Sequence, residues 1–177
     1  MLYIFGGLPG TGKSTLSAAL ARELRATYLR VDVVEQAMRV TGSKLEGPEG
    51  YIVCYELARQ NLRIGLDVIA DTVNPIQITR QDWRGVAESL EVPFVEIEVI
   101  CSDEHEHRHR VTTRVTDISG LALPTWDDVK NRYYEVWDRD RIVIDTAHQT
   151  VEESLMTLRA QLGMKRASDT GSASGLQ

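Results

Sequence analysis

The chain has 177 residues and 19.9 kDa, enough for one domain of ordinary size and too little for a second. At 42% apolar and 26% charged it has the composition of an average soluble globule with a buried core. Twenty basic against 26 acidic residues leave a net charge of -6, which argues against the electrostatic attraction that non-specific nucleic-acid binding needs.

In chain order, Leu2–Phe5 is a short apolar run ended by glycines and reads as a buried strand. Leu16, Ala19, Leu20 and Leu24 recur at helical spacing over 13–25. A β-rich stretch over 27–31 and a helix over 33–40 follow, then a loop over 41–50 with three glycines and Pro48. Helical periodicity returns over 51–64 and stops at Gly65. The next strand, 66–71, ends on Asp71, and a helix over 76–90 follows Pro75. The strongest β run is 94–100, followed by a very polar helix over 103–114 and an aperiodic stretch over 115–124. A helix over 126–137 and a last strand over 141–145 precede Thr150-Val151-Glu152-Glu153, a capping box opening a final helix to about Leu162.

Five strands separated by helices predict a single α/β domain with a parallel sheet and right-handed crossovers. The domain is expected over residues 1–163, with 164–177, rich in Ser and Gly, as a disordered tail. No apolar run approaches a membrane helix, and Met1–Phe5 leads into glycines without a basic region, so neither a span nor a signal peptide is expected. Cys54 and Cys101 lie far apart in apolar stretches, which suits a reducing cytoplasm better than a disulfide framework.

Gly7-Leu8-Pro9-Gly10-Thr11-Gly12-Lys13-Ser14 fits G-x-x-x-x-G-K-[ST], the phosphate-binding P-loop. Its glycines let the backbone curl until successive N–H groups point at phosphate oxygens, and the following helix adds its positive end. Lys13 would bridge the β- and γ-phosphates of ATP, Ser14 would hold Mg²⁺ and Thr15 would reach the α-phosphate. The N-K-x-D guanine motif of a GTPase does not occur, and the length leaves no room for the helical domain of a mechanical ATPase. A small kinase remains.

Leu29-Arg30-Val31-Asp32, just after the first crossover, resembles the strand-2 aspartate stretch of small P-loop kinases of the chloramphenicol phosphotransferase, adenylylsulfate kinase and zeta-toxin type. The resemblance covers roughly residues 2–162 and implies a sheet order of 2-3-1-4-5, a short lid, and transfer of the γ-phosphoryl group of ATP to a hydroxyl of a small molecule. It implies that Asp32 orients and deprotonates that hydroxyl; the competing reading is a cap on the next helix. Asp71 would sit near Mg²⁺ or its waters, against a plain turn aspartate. Arg110 and Arg114, four apart on one helix face, would be lid arginines that neutralise charge in transfer, against an ordinary salt-bridged surface. Arg110 would alternatively lie against adenine, and Thr146 would belong to the adenine-side loop.

For the acceptor, Arg39 lies seven residues after Asp32 on nearly the same helix face and suits an anionic group. Tyr51, with Tyr55 one turn on, would present an aromatic wall, while Asn74, Arg80 and Arg84 are weaker candidates; tyrosines in a core and arginines in solvent are the competing readings. The D-G-D-N stretch of adenylylsulfate kinase is not found after strand 2, which separates the pocket from that enzyme's.

One motif points elsewhere. His105-Glu106-His107-Arg108-His109 satisfies the zinc-hydrolase pattern H-E-x-x-H, with His148 as a conceivable third ligand. The segment is short and strongly polar, unlike a packed active-site helix, so a solvated histidine face is preferred. Two further alternatives stand beside the small-molecule kinase: a kinase of a nucleotide, nucleoside or RNA end, and a non-catalytic ATP-binding switch. Oligomeric state is not legible.

Overall fold

In the computed structural model, residues 1–164 are described; the expected disordered tail falls outside the described residues, apart from residue 164. The chain forms β1 (Leu2–Gly6), α1 (Lys13–Leu24), β2 (Thr27–Arg30), α2 (Val31–Val40), α3 (Glu49–Arg63), β3 (Val68–Asp71), α4 (Gln77–Glu88), β4 (Phe94–Ile100), α5 (Glu104–Thr113), α6 (Trp126–Lys130), β5 (Ile142–Asp145) and α7 (Val151–Gln161). The five strands make one parallel sheet in the order β2-β3-β1-β4-β5.

Strands β1 and β3 are buried along their whole length, which is why they read as unbroken apolar runs. Alternation along β1 splits the core. Tyr3 and Phe5 join Leu16 and Leu20 of α1, Ile97 and Val99 of β4, and Leu155 and Leu158 of α7 on one face. Leu2 and Ile4 join Cys54, Ala58 and Leu62 of α3 and Trp83 and Val86 of α4 on the other. Burial pushes the Cys54 thiol up to about 12, so it acts as a small apolar side chain. The predicted capping box forms, with Thr150 and Glu153 capping α7 reciprocally, and the structure adds an unpredicted cap in which Asp103 accepts from the Glu106 N–H at the start of α5.

Most element ends fall within two residues of expectation, and two of the differences bear on the site. Helix α2 starts at Val31 rather than Val33, so Asp32 stands in its first turn. The helix expected over 126–137 ends at Lys130. Beyond it the backbone serves another partner: Arg80 donates to the carbonyls of Glu135 at 2.8 Å and Val136 at 3.2 Å, and the Glu135 N–H donates to Pro75 O at 2.8 Å. This segment replaces a helix over the β4 side of the sheet, where Glu98 pairs with Arg141 and Glu96 with Arg84.

Candidate active site

Parallel α/β sheets bind ligands beyond the carboxyl ends of their strands, and here the glycine loop, α2 and the 114–125 segment enclose a cleft of about 1010 Å³ at that end. The loop's shape depends on missing side chains. Gly7 has φ 138°, and a Cβ there would lie 2.2 Å from the Val99 carbonyl oxygen; Gly10 has φ 87°, and a Cβ there would lie 2.5 Å from Cγ2 of Val111. Pro9, Gly10, Gly12, Lys13, Ser14 and Thr15 line the cleft, whereas Gly7, Leu8 and Thr11 are not among its lining residues. Thr11 is buried, and its hydroxyl donates to Leu8 O at 2.9 Å.

Helix α5 grips this loop. The His107 ring, 7% exposed, meets Pro9 O at 2.9 Å through Nε2 and stands edge-on to Trp126. Arg110 lines the cleft but is fully engaged: it donates to Thr146 Oγ1 at 2.7 Å and Thr146 O at 2.8 Å and pairs with Glu106. Thr146 Oγ1 in turn donates to Thr11 O at 2.8 Å. Arg110 and Thr146 are thereby joined on one side of the loop. Arg114 differs from Arg110. Its Nε and Nη2 are buried without a partner among the described residues, and it lines the same cleft as Asp32. Burial pulls the Arg114 guanidinium below its ordinary range, with the Asp32 charge opposing that shift.

On the opposite wall, α2 turns Asp32, Glu35, Gln36 and Arg39 into the cleft, positions that share one helix face. Arg39 donates to Glu35 Oε2 at 3.1 Å. The segment after α5 is drawn over this wall. Arg30 Nη1 donates to both Asp117 oxygens at 2.9 and 2.8 Å, and Gln36 Nε2 donates to Ser119 O at 3.2 Å.

Asp71 ends β3 beside Phe5 of β1 and is 2% exposed, buried behind the residues that line the cleft rather than among them. Its Oδ2 accepts from the Tyr28 hydroxyl at 2.6 Å and faces Arg30 Nε at 3.6 Å, while Oδ1 is buried with no partner among the described residues. A buried carboxylate oxygen without a donor fits a divalent cation or a water bound to one, so Asp71 suits Mg²⁺ or its water, while Ser14 lines the cleft itself.

The structure does not bring the remaining expected residues into the cleft. Arg80 is wholly buried, bonded to the carbonyls of Asn74, Pro75, Glu135 and Val136 and stacked 4.1 Å over the Trp137 ring. Four carbonyls and an aromatic face leave it nothing for a substrate, so it is structural. Arg84 is buried beside Glu96 and Asp138. Tyr51 does not form a wall: its hydroxyl accepts from Thr72 Oγ1 at 2.6 Å and the Asn74 N–H at 3.2 Å, and Tyr55 donates to Thr79 O within the core. Asn74 is fully buried in left-handed backbone at φ 52°, with its carboxamide unpartnered among the described residues. The metal-hydrolase pattern also dissolves. His107 holds the loop, His105 and His109 are exposed, Glu106 receives Arg110 and the His148 N–H, and no group of three metal-ligating side chains occurs among the described residues.

Sequence reasoning passed over Tyr28, Arg30, Glu35, Gln36 and Asp117, all of which line the cleft. Glu35 and Gln36 were findable, since they stand three and four residues after Asp32 on one helical face.

A strand, a glycine loop closing on a helix N-terminus, and a lysine and serine facing an α/β cleft define a P-loop nucleoside triphosphate-binding domain of the small-kinase type. A family model described as "AAA domain" (AAA_33) matches residues 2–136, and the chain belongs to that family.

Among curated proteins the chain is similar to the adenylyl-sulfate kinase of Staphylococcus epidermidis (26% identical, covering 85% of this chain and 78% of that one). The adenylyl-sulfate kinase of Oceanobacillus iheyensis is 29% identical, with 87% and 79% covered. A protein of Sorangium cellulosum named "Probable bifunctional SAT/APS kinase 2" is 26% identical, and the chain spans 28% of its length. Among solved structures, the Mycobacterium tuberculosis APS kinase CysC in complex with AMPPNP and APS superposes with a TM-score of 0.65 at 17% identity, covering 92% of this chain and 96% of that one. A gluconokinase from Sinorhizobium meliloti gives 0.64 at 15%, with 91% and 90% covered. The expected sheet order and fold are found, and loop and relatives together make the chain a small ATP-dependent kinase.

Proposed function

We propose that this chain transfers the γ-phosphoryl group of ATP to a hydroxyl of a small, neutral or anionic molecule. The observation that carries this reading is that Lys13 and Ser14 on one side, and Asp32 on the other, line a single cleft. Lys13 and the loop amides hold the phosphates, and Arg114, with unpartnered N–H groups in the same cleft, stabilises charge on the transferring group. Arg110, tied to Thr146 and Glu106, shapes the nucleotide side instead. Asp32 makes no hydrogen bond among the described residues, which leaves its carboxylate available to accept the acceptor's proton. The acceptor oxygen forms a bond to phosphorus as the bond to the β,γ-bridging oxygen breaks, and ADP leaves. Mg²⁺ at Ser14 and Asp71 supplies neutralisation of the phosphate oxygens when bound. Most of the rate gain comes from positioning and electrostatics.

Basic lining side chains outnumber acidic ones in the cleft, with Lys13, Arg39, Arg110 and Arg114 among them, which disfavours a cationic acceptor. The relatives' names direct attention to adenylyl sulfate. The lining favours a sugar acid equally well, because among the described residues Tyr28 is the one aromatic that lines the cleft. A single kinase domain over 1–163 in a reducing cytoplasm completes the proposal; no helix of the described residues is long and apolar enough to cross a membrane.

The test is Mg²⁺-dependent ADP release with and without adenylyl sulfate, nucleosides, gluconate and other hydroxy acids. Lys13→Ala should be inactive, and Asp32→Asn should lose acceptor-dependent turnover while keeping ATP affinity within about twofold. Turnover that survives Asp32→Asn refutes the base assignment, and ATP binding without turnover on any acceptor returns the reading to a nucleotide-binding switch.

A further inference from the structure

The inner face of α2 carries two carboxylates, and only one has a role in transfer. Glu35 follows Asp32 by three residues, a spacing that stacks side chains with Cβ atoms about 5–6 Å apart. Its placement is built by its neighbours. Its stem crosses Gly50 of α3, where a Cβ would lie 2.3 Å from Glu35 Cγ and 3.0 Å from Oε1. Arg39 holds Oε2 at 3.1 Å. Oε1 has no donor among the described residues, and the side chain is 21% exposed, at the cleft. Gln36, the neutral polar group on this face, is occupied with Ser119. Burial lifts the Glu35 carboxyl above its ordinary range in spite of Arg39, with Asp32 and Glu49 adding to the shift, so a further donor at Oε1 would relieve it.

We propose that Glu35 is a specificity residue whose Oε1 accepts a hydrogen bond from a second hydroxyl, on the carbon next to the one that Asp32 orients. The acceptor is accordingly a vicinal diol, either the ribose of a nucleotide or a polyhydroxy acid. A hydroxyl fits better than an ammonium because the cleft already has an excess of basic side chains. Glu35 takes no part in the bond changes: it holds one hydroxyl so that its neighbour points in line, and the transferred proton goes to Asp32. This inference rests on the kinase reading above.

The experiment measures binding in the presence of AMPPNP, and kcat/KM with ATP, for adenylyl sulfate and gluconate, each beside its singly deoxygenated counterparts. A hydrogen bond to a charged group predicts that wild type prefers the intact diol by about 10–100-fold. Glu35→Ala should bring that ratio to about 1 by weakening the diol far more than its deoxygenated counterpart, with ATP affinity unchanged; Glu35→Gln, which keeps an acceptor oxygen, should restore part of it. Gly50→Ala, which displaces Glu35 without removing it, should lower the ratio in the same direction. Which parent compound shows the preference separates the ribose from the polyhydroxy acid. A wild-type protein that treats diol and deoxygenated acceptors alike, that binds no diol of the set, or whose preference survives in Glu35→Ala overturns the proposal. The binding arm decides this even if no acceptor turns over, an outcome that would sink the kinase reading itself.

Discussion

Tyr28→Phe removes one oxygen and isolates the support of Asp71. In the wild type the Tyr28 hydroxyl donates to Asp71 Oδ2 at 2.6 Å, and burial together with the Asp71 charge pushes that phenol far above its ordinary range, so it remains a donor at any working pH. At 2% exposure Asp71 has no solvent to replace the lost donor, and Arg30 Nε at 3.6 Å is too far to hydrogen-bond without moving. The bond removed is one to a charged group, worth about 1.5–3 kcal/mol. Loss of such an outer support to a metal-binding carboxylate costs about 10–100-fold in metal affinity. Because Arg30 can swing inward and recover part of it, the lower end, about tenfold, is expected. The assay is ADP release titrated with Mg²⁺ at fixed ATP, paired with direct Mn²⁺ binding to the nucleotide complex. The half-saturating metal concentration should rise about tenfold with little change in kcat at saturating metal. An unchanged metal requirement would refute the assignment of Tyr28 as the residue that orients Asp71, and with it the case for Asp71 as a metal acid.

Two further perturbations test the surroundings. Asp117→Asn cuts the Arg30 clamp on the segment over α2; with Asp117 75% exposed the stability cost should stay under about 1 kcal/mol, while limited proteolysis within 115–125 should quicken several-fold. Arg30 hydrogen-bonds the Asp117 carboxylate and holds it below its ordinary 3.8, so the clamp's contribution is complete above that value and disappears as pH falls through the depressed one; proteolysis rates that vary with pH near neutrality through this pair would contradict it. Arg80→Ala takes a wholly buried guanidinium away from four carbonyls and empties the space over Trp137, and should cost about 3–5 kcal/mol in urea unfolding; a loss below about 1 kcal/mol would mean that the 131–138 segment does not depend on it.

What could be read from the sequence was whatever depends on short-range pattern. The strand over Phe94–Ile100 and the loop before Lys13 are legible because alternation, glycine placement and helix start are local properties. Asp32 and Arg39 are brought to one wall because seven residues make two helical turns. Where prediction failed, the deciding partner was distant. Arg80 looks like a cleft arginine until the carbonyls of residues 135 and 136 come within reach, fifty-odd positions on. Those same contacts hold residues 135 and 136 in non-helical backbone, inside the stretch where the helix begun at Trp126 was expected to continue. Tyr51 was misplaced for a similar reason, since Thr72 and Asn74 claim its hydroxyl from another strand end.

Helix α5 is fastened twice to the nucleotide side, through His107 to Pro9 and through Arg110 to Thr146, and only past Thr113 does the chain leave it to cross toward α2. The two halves of the cleft are therefore unequal in the freedom they allow to change. On the proposed reading, substitutions over 115–125 and on the inner face of α2 should recast what is phosphorylated without disturbing the seat of ATP, whereas a change at position 107 or 146 should shift the loop itself. A chain built this way can trade one acceptor for another in small steps while its energy donor stays constant, and acceptor choice in its relatives should vary with those two segments far more than with the glycine loop.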